Sequence, residues 1–314
     1  MKNDMMRATI FLPGDSGLPE MEERHVESLR RGLPGIDWTW CRSRDEFRRE
    51  LPGSAIALVW LFKSEWLAEA PDLRLVATPA AGKDWIRVEP TPDRKVWFGT
   101  FHGELMAETA VGLVLTFCRG VKASLDCQVA EPWARERVAA TMRPLRGSRA
   151  LILGFGHIGK WIGRLLKPFG VTVTGVNRSD LSRPDYFGNN DAVITLAELE
   201  KELPRTDHLI LALPGGSGTD GVIDAARLGL LPKGAYVYNL GRGNSIVMDD
   251  LAAVLQSGRI AGAGLDVYDR EPLPTDAAIR RRPNVILMPH VSAFAPNYMD
   301  LFVNELIGRI AAEF

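Results

Sequence analysis

The sequence predicts an α/β protein built from two doubly wound parallel sheets. Three observations carry that expectation. Short apolar runs alternate with amphipathic helical stretches, most of the runs are continuously apolar, and one of them ends on Gly154-Phe155-Gly156-His157-Ile158-Gly159. A strand covered on both faces reads as an unbroken apolar run, which is the condition of a parallel sheet. Strand and helix in alternation mean βαβ units.

Taken in order, the first strand is expected over 8–12 (ATIFL) and stops at Pro13-Gly14. That run is too short for the apolar core of a signal peptide. Strands over 55–61 (AIALVWL) and 73–80 (LRLVATPA) follow. The segment 103–121 (GELMAETAVGLVLTFCRGV) is dense in small and apolar residues and predicts a helix buried between domains or subunits. Further strands are expected over 149–156, 171–177, 208–214, 235–241, 263–268 and 284–289. Helical patterns fill 159–170, 196–203 and 248–258, the last closing on Gly258 as a C-cap. The chain has no internal repeat and no low-complexity linker, so domain boundaries fall in short connections near 98–103 and near 283. The expected division is a discontinuous substrate domain, 1–101 with 284–314, around a dinucleotide-binding domain over 102–283.

A chain of 314 residues suits two domains of ordinary size. Lys+Arg 38 against Asp+Glu 39 leaves a net charge of -1, which offers no global field for nucleic acid or an anionic membrane. The run Arg280-Arg281-Arg282 before Pro283 reads as a solvated turn. Cys41, Cys118 and Cys127 are odd in number and lack CxxC spacing, so they read as reduced thiols with no disulfide framework and no metal site. No stretch reaches the ~18 apolar residues of a membrane span. The expectation is a cytoplasmic protein.

A lone GxGxxG is a weak signal, but this one closes a strand and opens a helix, as a dinucleotide turn requires. Gly154 permits the tight turn, Gly156 lets backbone approach a pyrophosphate, and Gly159 allows close helix–strand packing. The backbone of His157 and Ile158 then stands at a helix N-terminus, where unpaired N–H groups favour phosphate. An NAD site usually carries a carboxylate ~20 residues on, for the ribose hydroxyls. Here that strand ends in Val176-Asn177-Arg178-Ser179, and Asp180 comes three positions late. Arg178 suits a 2′-phosphate, so NADP is expected ahead of NAD, which stays possible.

Of the five histidines, His25 sits in the charged stretch MEERHVESLRR and is expected to be solvated. His102 falls at a domain boundary, His157 in the glycine loop, and His208 at the start of a strand. Only His290 follows a proline at a strand end among small residues, where a ring projects into a crevice. Asn239-Leu240-Gly241-Arg242-Gly243 ends another strand, and Asp266-Val267-Tyr268-Asp269-Arg270-Glu271-Pro272 ends the next. An arginine, a glutamate and a histidine thus stand at three successive carboxyl strand ends, the edge where open α/β sheets bind ligands.

Taken together, GFGHIG, NLGRG, LDVYDREPLP and MPHVSA resemble, in order and spacing, the D-isomer-specific 2-hydroxyacid dehydrogenase family. The likeness spans nearly the whole chain, and VNRS with the length looks most like the glyoxylate/hydroxypyruvate reductase branch. It implies a Rossmann-type cofactor domain inserted in a flavodoxin-like substrate domain. By that likeness Arg242 would grip the carboxylate and carbonyl of a 2-oxoacid, and His290 would be the general acid. Glu271 would hold the imidazole so that its protonated form is available near neutral pH. The backbone of Ala81-Gly82 would bind the substrate carboxylate, and domain closure would exclude water. Leu213, Pro214, Asn239, Leu240 and Gly241 would line the cofactor, with Asp266 and His290 beside the nicotinamide. A homodimer is expected from the apolar segment 103–121.

Lys83, the glycines of Leu213-Pro214-Gly215-Gly216, and Ala295 depart from the family pattern, and Trp60, Phe62, Trp85 and Phe294 are candidates to narrow the pocket. The leading expectation is an NADPH-dependent reductase of a small 2-oxoacid. An NAD-linked dehydrogenase of a bulkier hydroxy acid is the alternative within the same chemistry. A dinucleotide-sensing protein without turnover is the alternative outside it, and Arg242, Glu271 and His290 argue against that. An S-adenosylmethionine methyltransferase leaves all three residues unexplained.

Overall fold

A computed structural model describes residues 5–14, 17–131 and 133–313. The chain divides into two compact units, Met1–His102 with Phe294–Phe314, and Gly103–Ala293.

The first unit holds β1 (Met6–Phe11), β2 (Ile36–Trp40), β3 (Ile56–Val59), β4 (Leu75–Thr78) and β5 (Lys95–Phe98) in one parallel sheet of order β2-β1-β3-β4-β5. That order is the flavodoxin-like one. The strands β3 (IALV) and β4 (LVAT) are buried at every position, as expected for strands covered on both faces. β2 and β5 have no counterpart among the expected strands. IDWTW alternates in polarity and KVWF spans only four residues, so neither forms the continuous run that marked the others.

His25 is buried, not solvated. The helix Glu23–Gly32 turns His25, Val26 and Leu29 inward, and its charged residues face outward. The His25 ring joins a capping box: the Glu22 backbone N–H donates to Nδ1 at 2.9 Å. Burial pushes its pKa below the ordinary histidine value.

The second unit holds β6 (Arg149–Leu153), β7 (Thr172–Val176), β8 (Ala192–Ile194), β9 (His208–Leu211), β10 (Tyr236–Asn239), β11 (Gly262–Leu265) and β12 (Val285–Leu287). The sheet is parallel throughout, in the order β12-β11-β10-β9-β6-β7-β8. Strand order reverses between β6 and β9, which makes the crevice above their carboxyl ends the expected ligand site. Pairing of β12 with β11 (Ala263↔Val285, Leu265↔Leu287) keeps residues 284–293 in this unit, so the second boundary lies at 293 and not near 283.

The helix His102–Cys118 covers one face of this sheet. It stays close because β11 lacks side chains where it passes: a Cβ on Gly264 would come 3.2 Å from Leu113, and one on Gly262 would come 3.0 Å from Phe117. The helix ends at Cys118, three residues short of the expected limit at 121, just before Gly120 with its φ of 69°. The three cysteines are free and buried. Among the described residues no helix is long and apolar enough to cross a membrane.

Candidate active site

The loops that leave β6, β9 and β10 meet through glycines. Gly154 has φ +87°, and a Cβ there would lie 2.5 Å from the Ala212 carbonyl oxygen. A Cβ on Gly159 would lie 2.4 Å from the Gly154 oxygen, and one on Gly241 2.5 Å from the Leu213 oxygen. Nothing stands within 4 Å of the Cβ position of Gly156, so the backbone there is open to approach. Within the 154–159 loop, Gly154 and Gly159 are thus required by packing and Gly156 leaves space, which is the arrangement a pyrophosphate needs. His157 is exposed and Ile158 half-buried at the start of the helix His157–Leu166. The residues present fit a dinucleotide.

At the end of β7, the Asn177 Nδ2 donates to the Phe155 carbonyl at 2.9 Å, tying this strand end to the glycine loop. The Asn177 Oδ1 accepts from the Arg178 N–H at 2.7 Å, and Arg178 and Ser179 are exposed. Asp180 pairs with Lys160 at 2.8 Å and also accepts from the Ser182 N–H. These contacts, Lys160 foremost, hold its carboxyl well below the usual range. The carboxylate nearest the strand end is therefore already engaged.

Leu213 is half-buried and Pro214 exposed after β9. Of the glycines that follow, Gly216 has φ +120°, which favours glycine, while a Cβ on Gly215 would make only ordinary contact with Cγ of Arg242 at 3.4 Å. After β10, Asn239 and Leu240 are buried. The Asn239 amide donates to the Arg242 carbonyl at 3.1 Å and its oxygen accepts from Gly241 N–H at 3.1 Å. Its side chain folds the arginine turn, so only backbone is left at these two positions to line a cofactor. Ser245, also buried, donates to the same Arg242 carbonyl at 2.7 Å.

Gly243 joins this turn to the next one. A Cβ there would fall 1.8 Å from the Tyr268 carbonyl carbon, so no other residue fits. Half-buried Arg242 directs Nη1 to the Gly241 carbonyl at 2.9 Å, and its positive charge acts on Glu271. The Glu271 Oε1 accepts from the Tyr268 N–H at 3.0 Å, and Oε2 lies 2.7 Å from His290 Nδ1. Burial raises the Glu271 pKa, but the His290 and Tyr268 hydrogen bonds with the His290 and Arg242 charges outweigh it. The net position is below the ordinary glutamate value.

His290 has φ +58°, the one left-handed non-glycine residue among the described residues. That conformation costs on the order of 1 kcal/mol and persists only where the surroundings fix it. Asp266 does so. Its carbonyl accepts from His290 N–H at 2.9 Å, and its two carboxylate oxygens accept from Val291 N–H (2.8 Å) and Ser292 N–H (2.9 Å). Asp266 is fully buried, so its carboxylate serves this backbone where the sequence suggested a contact to nicotinamide. The His290 side chain is 42% exposed.

The carboxyl edge of this sheet thus brings together Arg242, Glu271 and His290, beside the glycine loop. Tyr268 carries a role that its sequence pattern does not mark. It anchors Glu271 through its N–H and donates its hydroxyl to the Met288 carbonyl at 2.8 Å, joining the segments after β11 and β12. Ala81 and Gly82 belong to the first unit, on the loop after β4, with Ala81 exposed. Of the four candidate pocket aromatics there, Phe62 and Trp60 are buried, and Phe62 belongs to that unit's core. Phe294 is 39% exposed and Trp85 half-buried.

Residues 111–292 match the family model described as D-isomer specific 2-hydroxyacid dehydrogenase, NAD binding domain. A glyoxylate/hydroxypyruvate reductase A of Klebsiella pneumoniae (strain 342) is 31% identical over 299 residues, covering 86% of this chain and 90% of that one. Among solved structures, a D-isomer specific 2-hydroxyacid dehydrogenase of Xanthobacter autotrophicus Py2 in complex with NADPH and MES is 26% identical. It has a TM-score of 0.80 over 98% of this chain and 95% of that one. An NADPH-dependent glyoxylate/hydroxypyruvate reductase of Sinorhizobium meliloti, in complex with NADP and sulfate, is 26% identical with a TM-score of 0.79 over 98% and 95%.

Proposed function

Because the chain belongs to the D-isomer-specific 2-hydroxyacid dehydrogenase family, we propose that it reduces a small 2-oxoacid of the glyoxylate or hydroxypyruvate type to the D-2-hydroxyacid, with NADPH. The observation that carries this reading is the 2.7 Å contact of His290 Nδ1 with Glu271, beside Arg242 at the carboxyl edge of the sheet.

When bound in the Gly154–Gly159 loop, NADPH supplies the hydride. The protein supplies charge and a proton. With Nδ1 committed to Glu271, Nε2 of His290 is the nitrogen that delivers a proton to the carbonyl oxygen. Glu271 fixes the ring and stabilises its positive charge, as a positioning residue. The Arg242 guanidinium takes the substrate carboxylate and carbonyl in its fork, which a single ammonium does not reproduce. Exposed Arg178 after Asn177, and Asp180 already engaged by Lys160, favour the 2′-phosphate of NADP over the bare ribose of NAD. The same reading pairs two copies of the chain through the segment after the His102–Cys118 helix, where Leu125, Val129 and Trp133 are exposed.

The test is NADPH and NADH oxidation measured against a panel of 2-oxoacids. Glyoxylate and hydroxypyruvate are expected to turn over, with NADPH favoured by about tenfold, the worth of one charge-assisted contact. No turnover with any acid would sink the assignment, and a preference for NADH would remove Arg178 from it.

A further inference from the structure

The opposite edge of the same sheet holds a cavity that this reaction does not use. β6, β9 and β10 begin at Arg149, His208 and Tyr236, and the segments entering them enclose about 270 Å³. Four or five residues of strand, roughly 13–17 Å at about 3.3 Å each, separate it from the glycine loops.

Buried Cys118, His208 and Tyr236 form its floor, and exposed Arg143, Arg146 and Lys233 its rim. Among the described residues Asp207 is the one carboxylate lining it, and its Oδ2 already accepts from the Arg149 N–H at 2.8 Å. None of the three cations makes an ion pair among the described residues. Like charges gathered around one cavity repel unless an anion joins them.

Two of the cations rest on glycines that leave room for them. Gly234 has φ +93°, and a Cβ there would lie 3.2 Å from Nη2 of Arg143. Gly170 has φ +77°, and a Cβ there would lie 3.2 Å from Cγ of Arg146. The positive charge of Arg143 also acts on the Tyr236 hydroxyl on the cavity floor. The guanidinium groups are thus seated in the fold and not merely displayed on it.

We propose that this cavity binds a small phosphate monoester, its dianion held by Arg143, Arg146 and Lys233, at a site distinct from the dinucleotide site. Guanidinium forks match phosphate oxygens in pairs, and the lysine adds a point charge. The cavity exceeds several water volumes of ~30 Å³ each, which leaves space for the carbon portion of an ester. A single compact cavity on a chain of net charge -1 is not the extended basic track that nucleic acid needs.

The experiment is calorimetric titration of the whole protein, in the presence of NADPH, with inorganic phosphate and with glycerol 3-phosphate at ionic strength fixed by chloride. Saturable binding of the ester is expected, tighter than that of inorganic phosphate. Arg143→Gln should weaken it about tenfold, and Arg143→Gln/Arg146→Gln by about tenfold more. Lys233→Gln, on an exposed residue, should weaken it too and covers the case in which an arginine variant does not fold. Raising the NADPH concentration should leave the ester isotherm unchanged. Absence of saturable binding, equal binding in the Arg143 and Lys233 variants, or displacement of the ester by NADPH would each overturn the proposal.

Discussion

Two histidines at opposite ends of one sheet show how this fold divides its labour. His290, past the carboxyl end of β12, keeps its ring 42% exposed, with a glutamate 2.7 Å from Nδ1. His208, at the amino end of β9, is 3% exposed and faces the Tyr238 hydroxyl at 3.4 Å and the Cys118 sulfur at 3.9 Å. Burial pushes its pKa down to about 4. The first ring is placed to exchange a proton with a ligand, and the second is kept neutral inside the core. What separates them is one carboxylate and access to water, not residue type.

Arg242→Lys should damage the carboxyl edge most clearly short of removing the histidine. Loss of the guanidinium fork is expected to lower kcat/KM for glyoxylate by about a hundredfold, the worth of a lost charge-assisted pair of bonds. The midpoint of acid unfolding should not move in this variant, because the fork contributes nothing to His208. A parallel shift in both quantities would blur the division between the two edges.

The amino edge makes a smaller prediction, read in stability. His208 binds its proton at about 4 when folded and at 6.5 when unfolded, so only the unfolded chain takes up protons between those values. Stability is therefore full above 6.5 and falls as pH drops toward 4. By pH 5 the loss from this residue is about 2 kcal/mol. Chemical denaturation at pH 7.5 and pH 5 should show that loss in the wild type and a smaller one in His208→Phe. An equal loss in both would mean the ring is not the acid-sensitive group. Glu271 has the opposite location and adds to the same trend only at lower pH: its folded pKa lies below 4.5, so its contribution is present above 4.5 and fades beneath it.

The carboxyl edge was readable in the sequence because its chemistry sits in contiguous words. GFGHIG fixes a turn through Gly154 and Gly159, where the packing admits no side chain, and NLGRG and MPHVSA mark strand ends directly. What the words did not carry is where buried polar side chains spend their hydrogen bonds. Asn239 and Asp266 both looked like ligand contacts, yet their side chains hold the Arg242 turn and the left-handed backbone at His290. That depends on contacts across 25 and 26 residues of sequence for Asp266, which no local pattern encodes. The burial of His25 was hidden for another reason. Charged neighbours dominate MEERHVESLRR, and only the helical spacing of His25, Val26 and Leu29 separates the inner face from the outer. Arg280-Arg281-Arg282 before Pro283 reads in the sequence as a solvated turn. In the fold Arg280 instead binds the Leu273 and Pro274 carbonyls, at 2.8 and 2.9 Å, within the second unit.

The most direct measurement is NADPH oxidation with glyoxylate by His290→Ala, with cofactor binding followed in parallel by nucleotide fluorescence. The account predicts a fall in kcat of about 10²–10⁴-fold, the usual worth of a general acid, with NADPH affinity little changed. Turnover within a few-fold of the wild type would contradict it, since the proton would then come from somewhere other than His290.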